Sequence, residues 1–276
     1  MDLKLGLIGY PIKHSLSPWI HQQFMDTLGV EGRYDLYESP PEQLGETINQ
    51  LRDQQLDGFN ITVPYKQKII PYLDELDSDA KEIGAVNTVV QTNGKWKGYN
   101  TDGAGYVRSV KQSYPNLFAP NHRVLILGAG GAARGIYRAL VHEAFTTVDI
   151  ANRTLERADD LLDLKTEDVT TNILSFKDAE QALSKYDFIV QTTSVGMKPN
   201  VEDQIISLEQ LKPNTIVSDI VYQPLLTSFL KDAKQRGGLI HQGHTMLLYQ
   251  AQLAFRHWSG ASVPAQDILI ELEKRL

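Results

Sequence analysis

The chain has 276 residues, 42% of them hydrophobic and 22% charged, enough to bury one large core or two ordinary ones. Its 34 acidic side chains against 27 basic ones give a net charge of −7, which argues against a nucleic-acid surface and requires any anionic ligand to meet a local cluster of positive charge. With no cysteine, disulfides, thiolate metal sites and cysteine nucleophiles are excluded.

No stretch reaches the roughly 20 apolar residues of a membrane helix. The start M-D-L-K-L-G-L-I-G-Y-P lacks the basic lead and long apolar run of a signal peptide, so a cytoplasmic protein with no membrane partner is expected. In chain order, residues 3–8 read as a buried strand broken by Gly9-Tyr10-Pro11, and 17–28 as a helix stopped by Gly29. Ser17 before Pro18 is a standard helix start, with Ser as N-cap and Pro at the first helical position. Ser15 has no such role. Two serines with His14 ahead of a helix N-terminus suit a small carboxylate equally well, and the residues alone leave both readings open.

Residues 33–39 form a second strand, 41–52 a helix, and 57–63 (D-G-F-N-I-T-V) a third strand. In that strand Phe59, Ile61 and Val63 share one face, Asn60 and Thr62 the other; polar side chains on a covered face need partners or a ligand. Lys66 follows at the carboxyl end of the strand, where open α/β sheets place ligands; taken alone, beside Lys68, it reads more readily as one more solvated charge. Helices are expected over 64–73 and 77–83, then a strand over 85–91 containing Asn87. Asn93-Gly94 turns that strand into another at 95–99 as a hairpin. Asn100-Thr101-Asp102-Gly103 opens a helix to residue 114, with Asp102 readable as its N-terminal acid.

The segment 123–157 organises the rest. An apolar strand (124–127) meets Gly128, Gly130 and Gly131; a helix (132–143) and a second strand (147–151) follow, ending at Asn152-Arg153-Thr154. This is the pattern of a dinucleotide-binding βαβ unit. Gly128 allows the tight exit, Gly130 the close approach of a pyrophosphate, and Ala133 the packing of helix on sheet, while the helix N-terminus offers free N–H groups. At the tip of the second strand an NAD site carries an acid. Here Arg153, Thr154 and Arg157 suit a 2′-phosphate, so NADP is favoured over NAD; Asp149 competes by spacing but lies inside the strand. Further helices (155–162, near 179, 225–236) alternate with strands (171–174, 187–191, 215–221, 239–240), which argues for a parallel sheet covered on both faces. Helices at 244–258 and 264–276 close the chain, and Gln250 falls within the apolar stripe of the first. The seven histidines show no metal-ligand spacing, His14, His21, His241 and His244 reading as surface or satisfied side chains, and no G-x-S-x-G elbow occurs.

Taken together, G-Y-P-I-K-H-S-L-S-P-W-I-H from Gly9, G-F-N-I-T-V-P-Y-K from Gly58, G-A-V-N-T from Gly84 and Y-N-T-D-G from Tyr99 form one half of a resemblance. G-A-G-G-A-A-R from Gly128, N-R-T from Asn152, T-S-V-G-M from Thr193 and Q-G-H-T-M-L-L-Y-Q from Gln242 form the other. Over nearly its full length the chain resembles the shikimate dehydrogenase family. The resemblance implies an α/β protein of two domains: a substrate domain (1–103 with 243–276) and a Rossmann-type NADP-binding domain (104–242), the C-terminal helices packing back on the first. It implies NADPH-dependent reduction of 3-dehydroshikimate to shikimate in aromatic amino-acid biosynthesis, by a monomer or homodimer, in a cleft between the domains.

The same resemblance assigns the residues. Lys66 and Asp102 are the catalytic pair. Ser15 and Ser17 hold the substrate carboxylate with Thr62 nearby; Asn60, Asn87 and Gln250 read its hydroxyls, and Tyr222 lies by it. Gly128, Ala129, Gly130, Gly131, Ala132, Asn152, Arg153, Thr154 and Arg157 contact NADP, with Met197, Val221 and Gly243 near the nicotinamide; no metal is implied. Gln22, Gln191-Thr192, Gln223 and Gln242 depart from the family's usual residues without removing a catalytic group. A quinate/shikimate dehydrogenase preferring NAD would carry an acid in place of Arg153, and a non-catalytic sensor on this fold would not need both Lys66 and Asp102.

Overall fold

The computed structural model describes residues 2–276. It divides into two compact units, Met1–Asp102 with Leu248–Leu272, and Gly103–Leu247 with Glu273–Leu276. Met1, the first residue of the expected substrate domain, lies outside the described residues.

The first unit contains β1 (Asp2–Gly9), α1 (Ser17–Leu28), β2 (Glu31–Glu38), α2 (Leu44–Asp53), β3 (Gly58–Ile61), β4 (Glu75–Leu76), α3 (Ser78–Ile83), β5 (Thr88–Thr92) and β6 (Lys95–Tyr99). Its six strands lie in the order β2-β1-β3-β5-β6-β4. β1 pairs in parallel with β2 and β3, while β3 meets β5 antiparallel with Asn60 opposite Thr88. The β5–β6 hairpin turns at Asn93 and Gly94, both at positive φ (52° and 77°) as a type I′ turn requires.

Two local expectations change, and one strand is added. Residues 64–73 form turns ending in a single 3-10 turn, Ile70–Tyr72, rather than an α-helix. Pro71 has no N–H to return to the carbonyl of Gln67, and the i→i+3 bonds Ile70 N–H to Gln67 O (3.3 Å) and Tyr72 N–H to Ile69 O (2.9 Å) replace it. Ser17 does not cap α1. It is the first helical residue, and Leu16 occupies the cap with no side-chain hydrogen bond. β4, only two residues long, pairs with Lys97 and Gly98 of β6 and is too short for its sequence to signal.

The second unit holds α4 (Asp102–Ser113, from its second residue), β7 (Arg123–Leu127), α5 (Gly131–Val141), β8 (Thr147–Ala151), α6 (Leu155–Asp159), β9 (Ile173–Leu174), α7 (Phe176–Ala182), β10 (Phe188–Gln191), β11 (Ile216–Asp219), α8 (Ser228–Gln235) and β12 (Leu239–Gln242). The order β12-β11-β10-β7-β8-β9 is wholly parallel, and it reverses between β7 and β10. That is the doubly wound nucleotide-binding topology, whose ligands lie at the switch point beyond the carboxyl ends of the strands. Apolar side chains cover both faces: Val124, Ile126, Ile136 and Leu140 on one, Leu125, Leu127, Ile189 and Leu230 on the other. A Cβ on Gly103 would run into the backbone oxygen of Gly135 and stand 2.9 Å from Ala139 Cβ, so α4 and α5 pack backbone to backbone there.

α9 (Gly243–Ser259) follows β12 directly, and α10 (Gln266–Glu273) closes the chain. From Leu248 onward α9 belongs to the first unit. Its Trp258 donates from Nε1 to Val89 O at 2.8 Å, in a slot that exists because residue 58 is glycine: a Cβ there would overlap the indole.

Candidate functional site

In the first unit the polar residues singled out above gather at the carboxyl ends of β1 and β3 and the start of β5. Ser15 and Ser17 stand where β1 gives way to α1; Ser17 N–H donates to Ser15 Oγ at 3.2 Å, and the two hydroxyls lie 3.2 Å apart. Thr62 follows β3, the neighbour of β1, and its N–H bonds Ile8 O at 2.9 Å. Lys66 is placed by its own backbone: its carbonyl accepts Val86 N–H at 2.7 Å, which holds the 64–66 turn against the strand leading to Asn87.

Lys66 Nζ meets Asp102 Oδ2 at 2.6 Å, with side-chain exposures of 15% and 4%. Two groups 36 residues apart in the chain thus converge in a mostly dry place, where a charge-assisted bond is strong and an unpaired partner is costly. Asn100 Oδ1 accepts Asp102 N–H at 3.0 Å and fixes the entry to α4. Asn87 Nδ2 donates to Asp102 Oδ1 (2.9 Å) and Thr101 Oγ1 (2.9 Å), with Gln250 Oε1 at 3.3 Å the longest of its contacts. Asn60 lies behind, with Nδ2 on Asn87 O (3.0 Å) and Thr88 Oγ1 (3.1 Å). Both of its amide hydrogens are engaged, so Asn60 meets a ligand hydroxyl only as an acceptor. Ser15, Ser17, Asn60, Thr62, Lys66, Asn87, Asp102 and Gln250 all lie in this unit; Tyr222 follows β11 in the other, its phenol pushed up by burial.

In the second unit the βαβ turn has the geometry its residue types demand. Gly128 sits at φ +111°, and a Cβ there would stand 2.6 Å from Thr193 Cγ2. Gly130 caps α5 without a side-chain bond, and nothing lies within 4 Å of where its Cβ would be. Ala129, Gly131 and Ala132 complete the turn, leaving the first N–H groups of α5 for an anion. Beyond β8, Asn152 Nδ2 bonds Thr154 O at 2.7 Å and shapes the tip, from which Arg153, Thr154 and Arg157 project exposed.

Asp149, the competing acid, is committed elsewhere. It is buried and accepts Tyr186 Oη (2.8 Å), Asn172 N–H (2.8 Å) and Asn172 Nδ2 (2.9 Å). The strand tip therefore offers cations and a hydroxyl, the chemistry of a 2′-phosphate.

Across the switch point, Gln191 and Asp219 tie two loops together. Gln191 Nε2 bonds Asp219 Oδ1 (3.1 Å) and Val195 O (3.1 Å), while its Oε1 accepts Thr193 N–H. Asp219 also accepts Val221 N–H (2.9 Å) and the Thr227 hydroxyl (2.7 Å). Burial pushes its carboxyl up to about 7 against those two donors. Met197 stands in one loop, 43% exposed, and Val221 is buried in the other. Gly243 touches the second: a Cβ there would overlap Ile220 O and stand 2.8 Å from Val221 O.

Three family models match the chain: the shikimate dehydrogenase substrate binding domain over residues 7–89, shikimate / quinate 5-dehydrogenase over 111–220, and the shikimate 5′-dehydrogenase C-terminal domain over 243–269. A shikimate dehydrogenase (NADP(+)) of Oceanobacillus iheyensis is 51% identical over 100% of this chain and 99% of its own length. The chain belongs to the shikimate dehydrogenase family. A second relative, the shikimate dehydrogenase (NADP(+)) of Geobacillus kaustophilus, is 46% identical over 94% of each chain. Among solved structures, the Thermus thermophilus shikimate 5-dehydrogenase in complex with NADP(H) and shikimate superposes with TM-score 0.87 at 32% identity, covering 99% of this chain and 100% of the other. The quinate dehydrogenase of Corynebacterium glutamicum in complex with NAD gives 0.88 at 28%, covering 100% and 99%.

Sequence reasoning about this shikimate dehydrogenase family chain passed over several residues of the site. Thr88 and Thr101 hold Asn87, Tyr34 holds Asn60, and Asp219 with Gln191 holds the two loops. Thr88 stood in the quoted G-A-V-N-T motif and Gln191 among the departures, but nothing local to Tyr34 or Asp219 marks them. His21 also departs from its reading as a surface or satisfied histidine. It is fully buried and neither ring nitrogen has a hydrogen-bond partner; the ring stacks on Tyr34 at 4.4 Å. His241 is satisfied, by Ser218 (2.8 Å) and Thr245 (3.1 Å), and His244 pairs with Glu273 (3.1 Å). Among the described residues no three His, Asp or Glu side chains are grouped to hold a metal ion, and no helix is long and apolar enough to cross a membrane.

Proposed function

We propose that the protein catalyses the reversible NADPH-dependent reduction of 3-dehydroshikimate to shikimate, with Lys66 and Asp102 as its catalytic pair. The observation that carries this reading is the 2.6 Å Lys66–Asp102 bond, buried among side chains that present hydrogen-bonding groups of both kinds. When bound, NADPH supplies hydride for the ketone carbon.

As negative charge develops on the ketone oxygen, Lys66 donates a proton to it; in the oxidative direction Lys66 takes that proton back. Asp102 uses Oδ2 to hold Lys66 and, through Asn87, keeps Oδ1 engaged, so its carboxylate orients the lysine. Ser15 and Ser17 donate to the substrate carboxylate with Thr62 beside them, Asn60 accepts from a ring hydroxyl, and Gln250 and Tyr222 complete the polar lining. Gly128 to Ala132 receive the pyrophosphate, Asn152, Arg153, Thr154 and Arg157 the adenosine 2′-phosphate, and Met197, Val221 and Gly243 flank the nicotinamide. The reaction is cytoplasmic, carried out by a monomer or homodimer without nucleic acid or membrane.

Steady-state rates with NADP or NAD, each with shikimate or quinate, test the assignment: kcat/KM is expected to be highest for NADP with shikimate. A preference for NAD with quinate would move the protein to the quinate/shikimate class, and no turnover on any pair would make it a sensor. Lys66→Met should lower kcat by about 10²–10⁴; turnover within threefold of wild type, with the fold intact, removes Lys66 from the role.

A further inference from the structure

Two backbone groups in the first unit fix the direction of a whole series of hydrogen bonds. The carbonyl of Asn87 can only accept, so the nitrogen of the Asn60 amide faces it at 3.0 Å and the oxygen faces Tyr34, whose hydroxyl must donate, at 2.7 Å. The N–H of Thr101 can only donate, so Asn87 Oδ1 faces it at 2.9 Å and Asn87 Nδ2 faces Asp102. The Thr88 hydroxyl stands between the two amides. It accepts from Asn60 Nδ2 at 3.1 Å and donates to Asn87 Oδ1 at 2.9 Å.

Donation therefore runs one way, from Tyr34 through Asn60, Thr88 and Asn87 to Asp102 Oδ1, while Lys66 arrives on Oδ2. Every residue behind Asp102 in the series is buried. In such surroundings each bond polarises the next, and losing the Thr88 hydroxyl leaves one Asn60 N–H unpaired and takes a donor from Asn87 Oδ1, which keeps the Thr101 N–H. Burial pushes the Tyr34 phenol well above its ordinary range against the neighbouring Ser17 hydroxyl, so the series begins at a permanent donor. A turned-over Asn87 amide would set oxygen against the Asp102 carboxylate.

We propose that Thr88, and Tyr34 behind it, are positioning residues that hold the Asn87 nitrogen on Asp102 and so aim Asp102 Oδ2 at Lys66. This rests on Lys66 and Asp102 being the catalytic pair. Neither Thr88 nor Tyr34 touches the reacting atoms; they act through the two asparagines. Thr88 is the sensitive link, because its single hydroxyl serves both amides at once.

The test compares Thr88→Val, nearly the same shape without the hydroxyl, with Thr88→Ser, which restores it. Thr88→Val is expected to lower kcat about fivefold to thirtyfold, the worth of one to two lost buried bonds, while KM for shikimate moves less than about threefold and Thr88→Ser returns kcat to within about twofold of wild type. In the ligand-free protein, NMR of the side-chain amides should show Asn87 N–H exchange accelerated at least about tenfold in Thr88→Val and unchanged in Thr88→Ser. Unaltered Asn87 exchange in Thr88→Val, or Thr88→Ser as impaired as Thr88→Val, overturns the proposal. If Thr88→Val does not fold, Tyr34→Phe carries the same two readouts, and wild-type values for both overturn it. Amide exchange needs no turnover, so an active Lys66→Met would sink the catalytic assignment and still leave the placement of Asn87 to be decided by exchange.

Discussion

The buried, unpartnered imidazole of His21 makes the first unit's stability depend on pH in a way that can be worked from the structure. Desolvation by burial lowers its pKa from 6.5 to about 3, against a smaller raising effect of the Asn60 side chain. Below 6.5 the unfolded chain takes up a proton that the folded one refuses, so stability is full above that pH and falls as the solution is acidified toward 3. The loss is about 1.4 kcal/mol per pH unit once well below 6.5, and so about 2 kcal/mol between pH 7 and pH 5. In the second unit two groups oppose each other over the same interval: His241, lowered to about 4, loses stability as pH falls, while Asp219, raised to about 7, gains it. A whole-protein measurement would blur the effect. Trp19, Trp96 and Trp258 are the chain's three tryptophans, and all belong to the first unit. Urea unfolding followed by tryptophan fluorescence therefore reports that unit. His21→Phe keeps a ring against Tyr34, Phe24 and Phe255 and removes the titration. Whatever the variant's stability at pH 7, wild type should lose about 2 kcal/mol more than His21→Phe on going to pH 5. Parallel pH curves for the two proteins would refute the reasoning.

Two further substitutions probe the second unit. Arg153→Ala should raise KM for NADP on the order of tenfold, the worth of one charge-assisted bond to phosphate, and leave KM for NAD nearly unchanged; equal shifts for both cofactors would remove Arg153 from the 2′-phosphate. Gly103→Ala forces a methyl group against Gly135 O and should cost about 1–3 kcal/mol by overpacking, read as a lowered thermal midpoint. A midpoint equal to wild type would show that α4 and α5 separate there without cost.

Legibility varied with how local the cause was. The βαβ unit could be read because each glycine answers a need within a few residues: Gly128 a positive φ, Gly130 an open approach, Ala133 a close helix. The hairpin at Asn93-Gly94 was equally local. The site in the first unit was legible residue by residue but not as an arrangement. Lys66 taken alone is one lysine near another, and only a fold that brings 66 beside 102 separates it from a solvated charge. Asp149 failed as a candidate for the same reason reversed: its partners, Asn172 and Tyr186, lie 23 and 37 residues away. The helix expected over 64–73 gave too little weight to Pro71. Ser17 was assigned a cap from its place before Pro18, whereas the helix already includes it.

The seat that Gly58 leaves for Trp258 sets the order in which a nascent chain can finish its parts. The sheet beside Lys66 and Asp102 leaves the ribosome early, but the indole that plugs it and the Phe255 ring that helps enclose His21 emerge only after residues 103–247 have been made. Gly103–Leu247, nearly the whole of the other unit, is continuous and synthesised in between. The unit whose sheet is made first thus waits for residues 103–247 before its seat is filled, and until then it exposes apolar surface.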